Sequence, residues 1–576
     1  MSVSNTHSKS LLFFIAVLII TGALVYWFRW TGNADDDWKS IIDGDGKRYY
    51  EYYEQVVFNK NFGNATPDYD NIIKAGDRTF IKGQCGTALL ISPFFLTARM
   101  LSGFSDDPYS PWYHKSISVA ALFYMLLGFA FLYMFLTRLN IKPVHIFFSL
   151  IAVLFATNLL VYTVIQPDVS HVYSFAMISC FLWASCCFIQ KPGIKYLLIS
   201  AVTFGIIYLI RPVNVIVIFF LPFFFDDARA LRNFLKRHIK QMALFAIVAL
   251  LIMGIQNVLW YIQCGHFFLW SYQNEGFYWL HPEFFNVLFS FRKGLFIYTP
   301  ILILVFLSLA AIFKTNQFKF IIVVIFLFIL TYIVSSWWCW TYFDSFGMRP
   351  FVDFYGIFVL LFAFLLHNLK KKFRIMVLIL CIPFLLLNLV QSYQYRKNIL
   401  SPEYMNFDSY KYIFLKTSDT YVNCIGGSYD LVPYNQFEKK LIFTASPEPG
   451  DDRIVVFDSL TEYSPGVKIL NNSELFNAGK SFAEIRFKKW EYRVKGSTGA
   501  VFVVSISYAG RLNAFYKVFP LNYLPVCPVN QWTEYSYSMI LPKISEPGYE
   551  LTMYIWNKGL QEYKIKNLEI NIYKTG

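Results

Sequence analysis

The sequence predicts a mainly α-helical, polytopic membrane protein of about eleven transmembrane helices, with a C-terminal extracytoplasmic β-sandwich. Three observations predict it. The 576 residues are 56% hydrophobic, 20% aromatic and only 15% charged, where a soluble protein carries about 25% charged residues. Apolar runs long enough to cross a bilayer alternate with short loops rich in lysine and arginine. From about residue 436 the pattern changes to alternating, β-branched and aromatic runs broken by turn signals.

The first apolar run, 11–28, follows Lys9 and is closed by Arg29 and Trp30. It is long enough to span and carries no convincing small-residue cleavage site, so it reads as an uncleaved span rather than a signal peptide. Further spans fall at 115–137, 143–164, 170–189, 239–262, 294–313, 318–338, 352–368 and 374–393. Two segments are ambiguous by length: 86–103 is short and holds Pro93 and Arg99, and 194–225 is too long for one pass and is split by Arg211-Pro212.

Charge decides both. Basic residues gather at Arg138 and Lys142; at Lys191 and Lys195; from Arg229 through Arg232, Lys236, Arg237 and Lys240; at Lys314 and Lys319; and at Lys370, Lys371, Lys372 and Arg374. With the N-terminus cytoplasmic, all these loops fall inside only if 86–103 stays at the outer surface and 194–225 crosses twice. The outer segments are then 31–114, 165–169, the turn at 211, 263–293, 339–351 and everything after 394. The domains follow: a membrane domain at 1–393 with outer loop 31–114, a partly helical connector at 394–435, and a β-sandwich at 436–576. Strands are expected at 453–458, 483–487, 500–507, 533–541 and 549–557, with Pro-Gly turns at 449–450, 465–466 and 547–548.

The formal charge of +14 resides largely in the inner loops, which argues against a nucleic-acid partner. No P-loop or glycine-rich dinucleotide motif is present, which excludes the usual handling of a soluble nucleotide donor. Of nine cysteines, Cys180, Cys186, Cys187 and Cys381 lie in apolar runs, while Cys85, Cys264, Cys339, Cys424 and Cys527 lie outside. That odd, irregular outer set contains no CxxC pattern and supports neither a metal site nor a disulfide framework.

Chemistry-bearing residues concentrate in the outer segments. Asp43 and Asp45 alternate with Gly44 and Gly46 just after the first span, in a loop whose glycines permit a tight turn. A carboxylate there suits a general base, the alternative being a solvated Asp-Gly turn. Tyr49 and Tyr50 follow, as a sugar-stacking wall or as an interfacial belt. Asp168 and His171 sit between two spans, where Asp168 either caps the next helix or joins His171 in holding a divalent metal ion. Lys82, Arg211, Arg292, Lys293 and Arg349 are cations on the side where few are expected, and phosphate binding competes with lipid-headgroup contact for them. Aromatic segments around Trp270–Trp279 and 337–340 are interleaved with Gln273, Asn274, Glu275 and His281, a composition that suits sugar binding better than plain anchoring.

Taken together these residues resemble the GT-C superfamily of integral-membrane glycosyltransferases, over residues 1 to about 395. The resemblance rests on order: Asp43/Asp45 before Tyr49-Tyr50; Lys82 to Leu90 with Pro93-Phe94-Phe95; Pro167-Asp168-Val169-Ser170-His171; Arg211-Pro212; Gly294-Leu295-Phe296 with Thr299-Pro300; and 337–340 with Ser345-Phe346-Gly347-Met348-Arg349. It is most similar to bacterial members near the protein O-mannosyltransferase and aminoarabinose-transferase branch. The resemblance implies a polyprenyl-phosphate sugar donor, a glycan, lipid or protein acceptor, and inverting transfer at the outer face of a bacterial inner membrane. It also implies the first-loop acid as base. Motif position favours Asp45, but Gly44 separates two aspartates where relatives have Asp-Glu, so the choice stays open. Relatives carry a Lys-Tyr pair where this chain has Lys82-Gly83.

Two other function classes compete. A polysaccharide or lipid-linked-glycan transporter or flippase predicts ionisable residues deep within several spans, and the spans are nearly free of charge at mid-depth. A membrane scaffold with a glycan-binding tail leaves the charged outer loops without a task.

Overall fold

The computed structural model describes residues 2–31, 37–67, 71–272, 275–402, 405, 407–418, 421, 439–446, 454–470, 481–492, 500–508, 511–521, 527–541, 549–557 and 560–575. Gln273, Asn274, Cys424, connector residues 422–435 and the turns at 449–450 and 547–548 lie outside them. The chain divides into two compact units: Met1–Tyr342 with Phe346–Ser392, and Phe343–Ser345 with Tyr393–Gly576.

The first unit is helical. Among the described residues, seven helical stretches are long and apolar enough to cross a membrane: Ser8–Trp30, Pro111–Arg138, His171–Gln190, Ile239–Cys264, Gln317–Ser336, Arg349–Asn368 and Lys371–Arg396. The other predicted passes are built from shorter pieces. The 143–164 run breaks into Pro143–Phe155 and Leu159–Val164. At the break the Thr157 hydroxyl bonds the Val153 carbonyl, and the buried Asn158 amide donates to Phe346 O at 2.9 Å. Polar side chains here compete with the helix ladder, and burial in protein makes the irregular backbone tolerable. The 294–313 run breaks at Thr299-Pro300, into Leu295–Tyr298 and Ile301–Thr315. Proline has no N–H to continue the first helix.

The 194–225 run folds as expected at its turn. Ile194–Ile210 ends at Arg211, and Pro212 opens a 3₁₀ helix, Pro212–Phe224. A 3₁₀ helix rises about 2 Å per residue, so this short piece extends roughly as far as the α-helix before it.

Contacts sort the loops into two ends. At the basic end, Arg138 donates to Gln190 at 3.3 Å, the Lys142 amide reaches His367 at 3.4 Å, and Lys319 pairs with Asp226 at 2.8 Å. Phe135 meets Phe224, and Phe188 meets Phe234, tying the remaining basic loops to the same end. The first outer loop, the 165–170 turn, the Arg211 turn, Tyr272 and Arg349 gather at the opposite end, as described below.

Helix Gly86–Leu101 is too short to rank among those seven stretches. Its first residue lies against Leu209 and Ile210, and Arg99 near its end reaches Tyr113 at the start of Pro111–Arg138. It dips along that helix as far as Tyr124, whose hydroxyl donates to Leu90 O at 2.9 Å. A Cβ on Gly86 would stand 2.3 Å from the Leu209 carbonyl carbon, so only glycine permits this approach.

The second unit holds the end of helix Lys371–Arg396, helix Phe407–Ile413 and a β-sandwich. One antiparallel sheet runs in the order Val467–Leu470, Tyr549–Asn557, Ala500–Tyr508, Arg511–Pro520. The other runs Lys439–Ala445, Tyr563–Thr575, Ser481–Glu491, Thr533–Ile540, with Ile454–Phe457 also pairing Tyr563–Thr575. Alternate residues point inward from both sheets: Phe502, Val504 and Ile506, and Leu551, Met553 and Ile555, meet Ala483, Ile485 and Phe487 in one core. Each such large side chain contributes roughly 1.5–3 kcal/mol over leaving it exposed.

Candidate active site

The acidic stretch that read as a loop is a helix start. Asp43 is the N-cap of helix Gly44–Tyr53, its carboxylate accepting from Gly44 N at 2.8 Å, and Gly44 takes a positive φ of 49°. Asp43 is exposed, whereas Asp45, in the first helical turn, is partly buried. The helix dipole favours an anion there.

Asp45 is held by two guanidiniums. Arg349 Nη2 lies 2.6 Å from Oδ2, and Arg48, one turn along the helix, lies 3.2 Å from Oδ1. Burial pushes the Asp45 pKa up, but Arg349 and then Arg48 outweigh it and hold the carboxyl well below the usual carboxylate range. Asp45 is thus an anion whose basicity is suppressed by its partners.

Asp168 does not cap the following helix, whose N-cap is Ser170. Its carboxylate instead accepts the Asp43 amide at 3.1 Å and lies directly on Gly46, where a Cβ would fall 1.8 Å from Oδ2. Asp168 is 5% exposed, and burial pushes its carboxyl up to about 7. The two glycines therefore serve two needs: Gly44 the turn, Gly46 the approach of a second acid.

A second polar group adjoins the first. Asp353, wholly buried, receives His171 Nδ1 at 2.7 Å on Oδ1, and Asn214 Nδ2 at 2.7 Å with Arg211 Nη1 at 3.5 Å on Oδ2. Asp353 is masked in the sequence by the apolar run 352–368 around it; its one signal is an acid four residues after Arg349. Arg48, Asn214 and Tyr342 carry no such signal, whereas Tyr272 belongs to the predicted aromatic segment Trp270–Trp279. Tyr272 lies within electrostatic range of Arg48, Arg211, Asp45 and Glu275, and Tyr342 within range of Arg211, Arg349 and Asp353.

The other predicted residues divide. Tyr49 belongs to the site: its hydroxyl bonds Ser170, and burial together with the Asp45 charge pushes its pKa up to about 12, leaving it a donor at neutral pH. Tyr50 does not. It is 2% exposed, donates to Pro108 O and packs against Tyr53, Phe95 and Tyr109, so it is a core residue and not a sugar wall. Lys82 and Glu275, predicted separately, pair with each other at 2.7 Å, and Lys82 stands over the Tyr272 ring. Gly83 backs onto Arg48, where a Cβ would crowd the Arg48 Cβ at 3.0 Å. Arg292 lies over Trp340, and Lys293 is 1% exposed.

The donor set does not fit the divalent metal ion expected at Asp168 and His171. Among the described residues, no three His, Cys, Asp or Glu side chains converge on one point. His171 spends Nδ1 on Asp353, and the charge beside Asp45 is supplied by Arg349 and Arg48. No disulfide forms among the described cysteines.

No protein-family model matches this chain, and no curated protein sequence matches it. Solved structures do. The archaeal oligosaccharyltransferase AglB from Archaeoglobus fulgidus, in complex with an inhibitory peptide and a dolichol-phosphate, is similar at 12% identity and TM-score 0.38, over 66% of this chain and 55% of that one. The apo form of the Archaeoglobus fulgidus oligosaccharyltransferase is similar at 13% identity and TM-score 0.37, over 70% and 60%. The arabinosyltransferase EmbB from Mycobacterium smegmatis is similar at 10% identity and TM-score 0.35, over 97% and 64%. The chain thus spans less than two thirds of the length of each.

Proposed function

We propose that this chain is a membrane glycosyltransferase that moves a sugar from a polyprenyl-phosphate donor to an acceptor hydroxyl at the non-basic end of its helices, the extracytoplasmic side under the positive-inside rule. The observation that carries this reading is the Asp45–Arg349 pair, a candidate base bound by a candidate phosphate ligand at 2.6 Å. A phosphate offers guanidinium a bidentate partner that competes with a carboxylate.

The chemistry follows from the exchange. The donor phosphodiester draws Arg349 from Asp45, with Arg211 as second cation. Asp45, relieved of its closest guanidinium, regains basicity. It takes the proton of the acceptor hydroxyl, whose oxygen bonds the anomeric carbon from the side opposite the phosphate. The carbon–oxygen bond to phosphate breaks, the electron pair stays on the phosphate, and the anomeric configuration inverts. Charge is conserved within the site. Arg48, Arg211 and Arg349 against Asp45 and Asp353 leave one positive charge, which a phosphodiester monoanion neutralises. After transfer the phosphate carries a second negative charge, and protonated Asp45 carries none.

The ionisable residues sit at helix ends: His171 opens its helix, and Arg211 follows the last residue of another. A transporter path would place them at mid-depth, so the transfer reading is favoured. The test is release of polyprenyl monophosphate from synthetic polyprenyl-phosphate sugars by the purified full chain, with acceptor mixtures from envelope glycans, lipids and proteins. Transferred sugar with inverted configuration is expected; no release from any donor contradicts the proposal.

A further inference from the structure

We propose that Asp353 is a positioning residue for the donor phosphate: from its buried place, braced by His171 and Asn214, it holds Arg211 as an oxyanion platform. This rests on the transfer reading above and adds a residue that reading leaves without a task. Asp353 is 0% exposed, yet three donors converge on it: His171 Nδ1, Asn214 Nδ2 and Arg211 Nη1. An isolated buried carboxylate is costly, so it is satisfied only while these groups stay in place, and they are fixed in return. Asn214 is anchored further by donating to Ser174 Oγ at 3.1 Å.

Arg211 keeps donors in reserve. A carboxylate accepts, so the His171 proton sits on Nδ1, and the Arg211 Nη1 at 3.1 Å from that nitrogen is a neighbouring donor to the same carboxylate. With the proton on Nδ1, Nε2 of the neutral imidazole is an acceptor, so His171 braces Asp353 and the anion-binding donors are those of Arg211. The Arg211 side chain is 24% exposed although its acceptor is wholly buried. Its Nε and Nη2 donors have no partner among the described residues, and these form the planar fork that matches a phosphate. His171 lies within electrostatic range of Arg211, Arg349 and Asp45, and Tyr49 within range of both Arg211 and Arg349, so the open Arg211 donors share their surroundings with the pair that the donor must enter. Asp353 touches no substrate; it acts through Arg211.

The test measures binding of farnesyl phosphate and of inorganic phosphate to the full chain in nanodiscs, alongside kcat and KM. Asp353→Asn is expected to weaken farnesyl phosphate binding roughly ten- to hundredfold, the range for losing an outer partner of a ligand-holding group. Arg211→Gln should weaken it similarly, and the double variant no more than the worse single one. Asp353→Glu should recover part of the loss, and Asp45→Asn should bind farnesyl phosphate at least as well as wild type while losing turnover. Should Asp353→Asn fail to fold, Asp353→Glu and Asn214→Ala enter the same double-mutant cycle with Arg211→Gln. Additive effects, or wild-type affinity in the Asp353 variants, overturn the proposal. A wild-type chain that binds inorganic phosphate in an Arg211-dependent way but neither binds nor cleaves the lipid donor overturns the transfer reading and leaves the anion platform standing. No binding of either probe overturns both.

Discussion

Two acids meet the first turn of one short helix, Asp45 from within it and Asp168 against Gly46, and their surroundings set them apart. Asp45 is kept ionised by Arg349 and Arg48, whereas Asp168, buried against Gly46, is pushed up to about 7. An unfolded aspartate titrates near ~3.9. Between that value and about 7 the folded protein keeps a proton on Asp168 that the unfolded chain has lost. Asp168 therefore contributes stability fully below about pH 4 and loses it as pH rises to about 7, after which the effect is flat. Asp168→Asn is expected to remove that decline, measured as thermal unfolding at pH 5 and pH 8; a variant that keeps the wild-type slope contradicts the assignment. Asp45 has the opposite sign. Its contribution is complete above the unfolded value and lost only as pH falls through its depressed one, so it adds no inflection between pH 5 and 8. At this scale the sequence exposed most of the charged residues but not their partners. Asp45, Arg349, Lys82 and Glu275 were each visible as unusual charges, yet pairing depends on a fold that joins residues hundreds of positions apart. Asp353 was hidden by its apolar neighbours, and Tyr50 drew notice through tyrosines that turn inward to Pro108 and Phe95.

The element that positions the site is helix Gly44–Tyr53, and its tolerance is set at Gly46. A methyl group there would overlap the Asp168 carboxylate, which must shift and release the Asp43 amide. Gly46→Ala is expected to cost roughly 1–3 kcal/mol, as overpacking does, and to lower turnover as Asp45 moves. Gly46→Ala combined with Asp168→Ala should recover stability without turnover, by thermal unfolding and transfer assay; an unperturbed single variant refutes the close approach. Helices read well from the sequence where they are long and apolar. The breaks at 156–158 and 299–300 did not, because Thr157, Asn158 and Pro300 interrupt the ladder without interrupting the hydropathy. The strands of the β-sandwich were legible because inward and outward residues alternate, as at Leu551, Met553 and Ile555.

At the scale of the whole molecule, a single rule of charge placement organised the chain. It required segment 86–103 not to cross and segment 194–225 to turn at Arg211; in the folded unit Gly86–Leu101 is a short helix and the 194–225 run breaks at Arg211. The same rule predicts a cytoplasmic basic end, and labelling tests it. Single cysteines introduced at Arg232 and at Asp106 into a cysteine-free chain, in sealed inside-in vesicles, should label with an impermeant maleimide at Asp106 and not at Arg232. The reverse pattern would put the acids and the free Arg211 donors in the cytoplasm and end the case for an outer-face donor.

The central claim is that Asp45, once freed of Arg349 by a donor phosphate, removes the acceptor proton. The most direct measurement is turnover of a synthetic polyprenyl-phosphate sugar by wild type, Asp45→Asn and Asp43→Asn, with folding checked for each. Loss of a positioned base typically costs 10²–10⁴-fold in rate. The account predicts a loss of that order in Asp45→Asn and near-normal turnover in Asp43→Asn, whose side chain caps the helix from an exposed position. Full turnover in Asp45→Asn contradicts it.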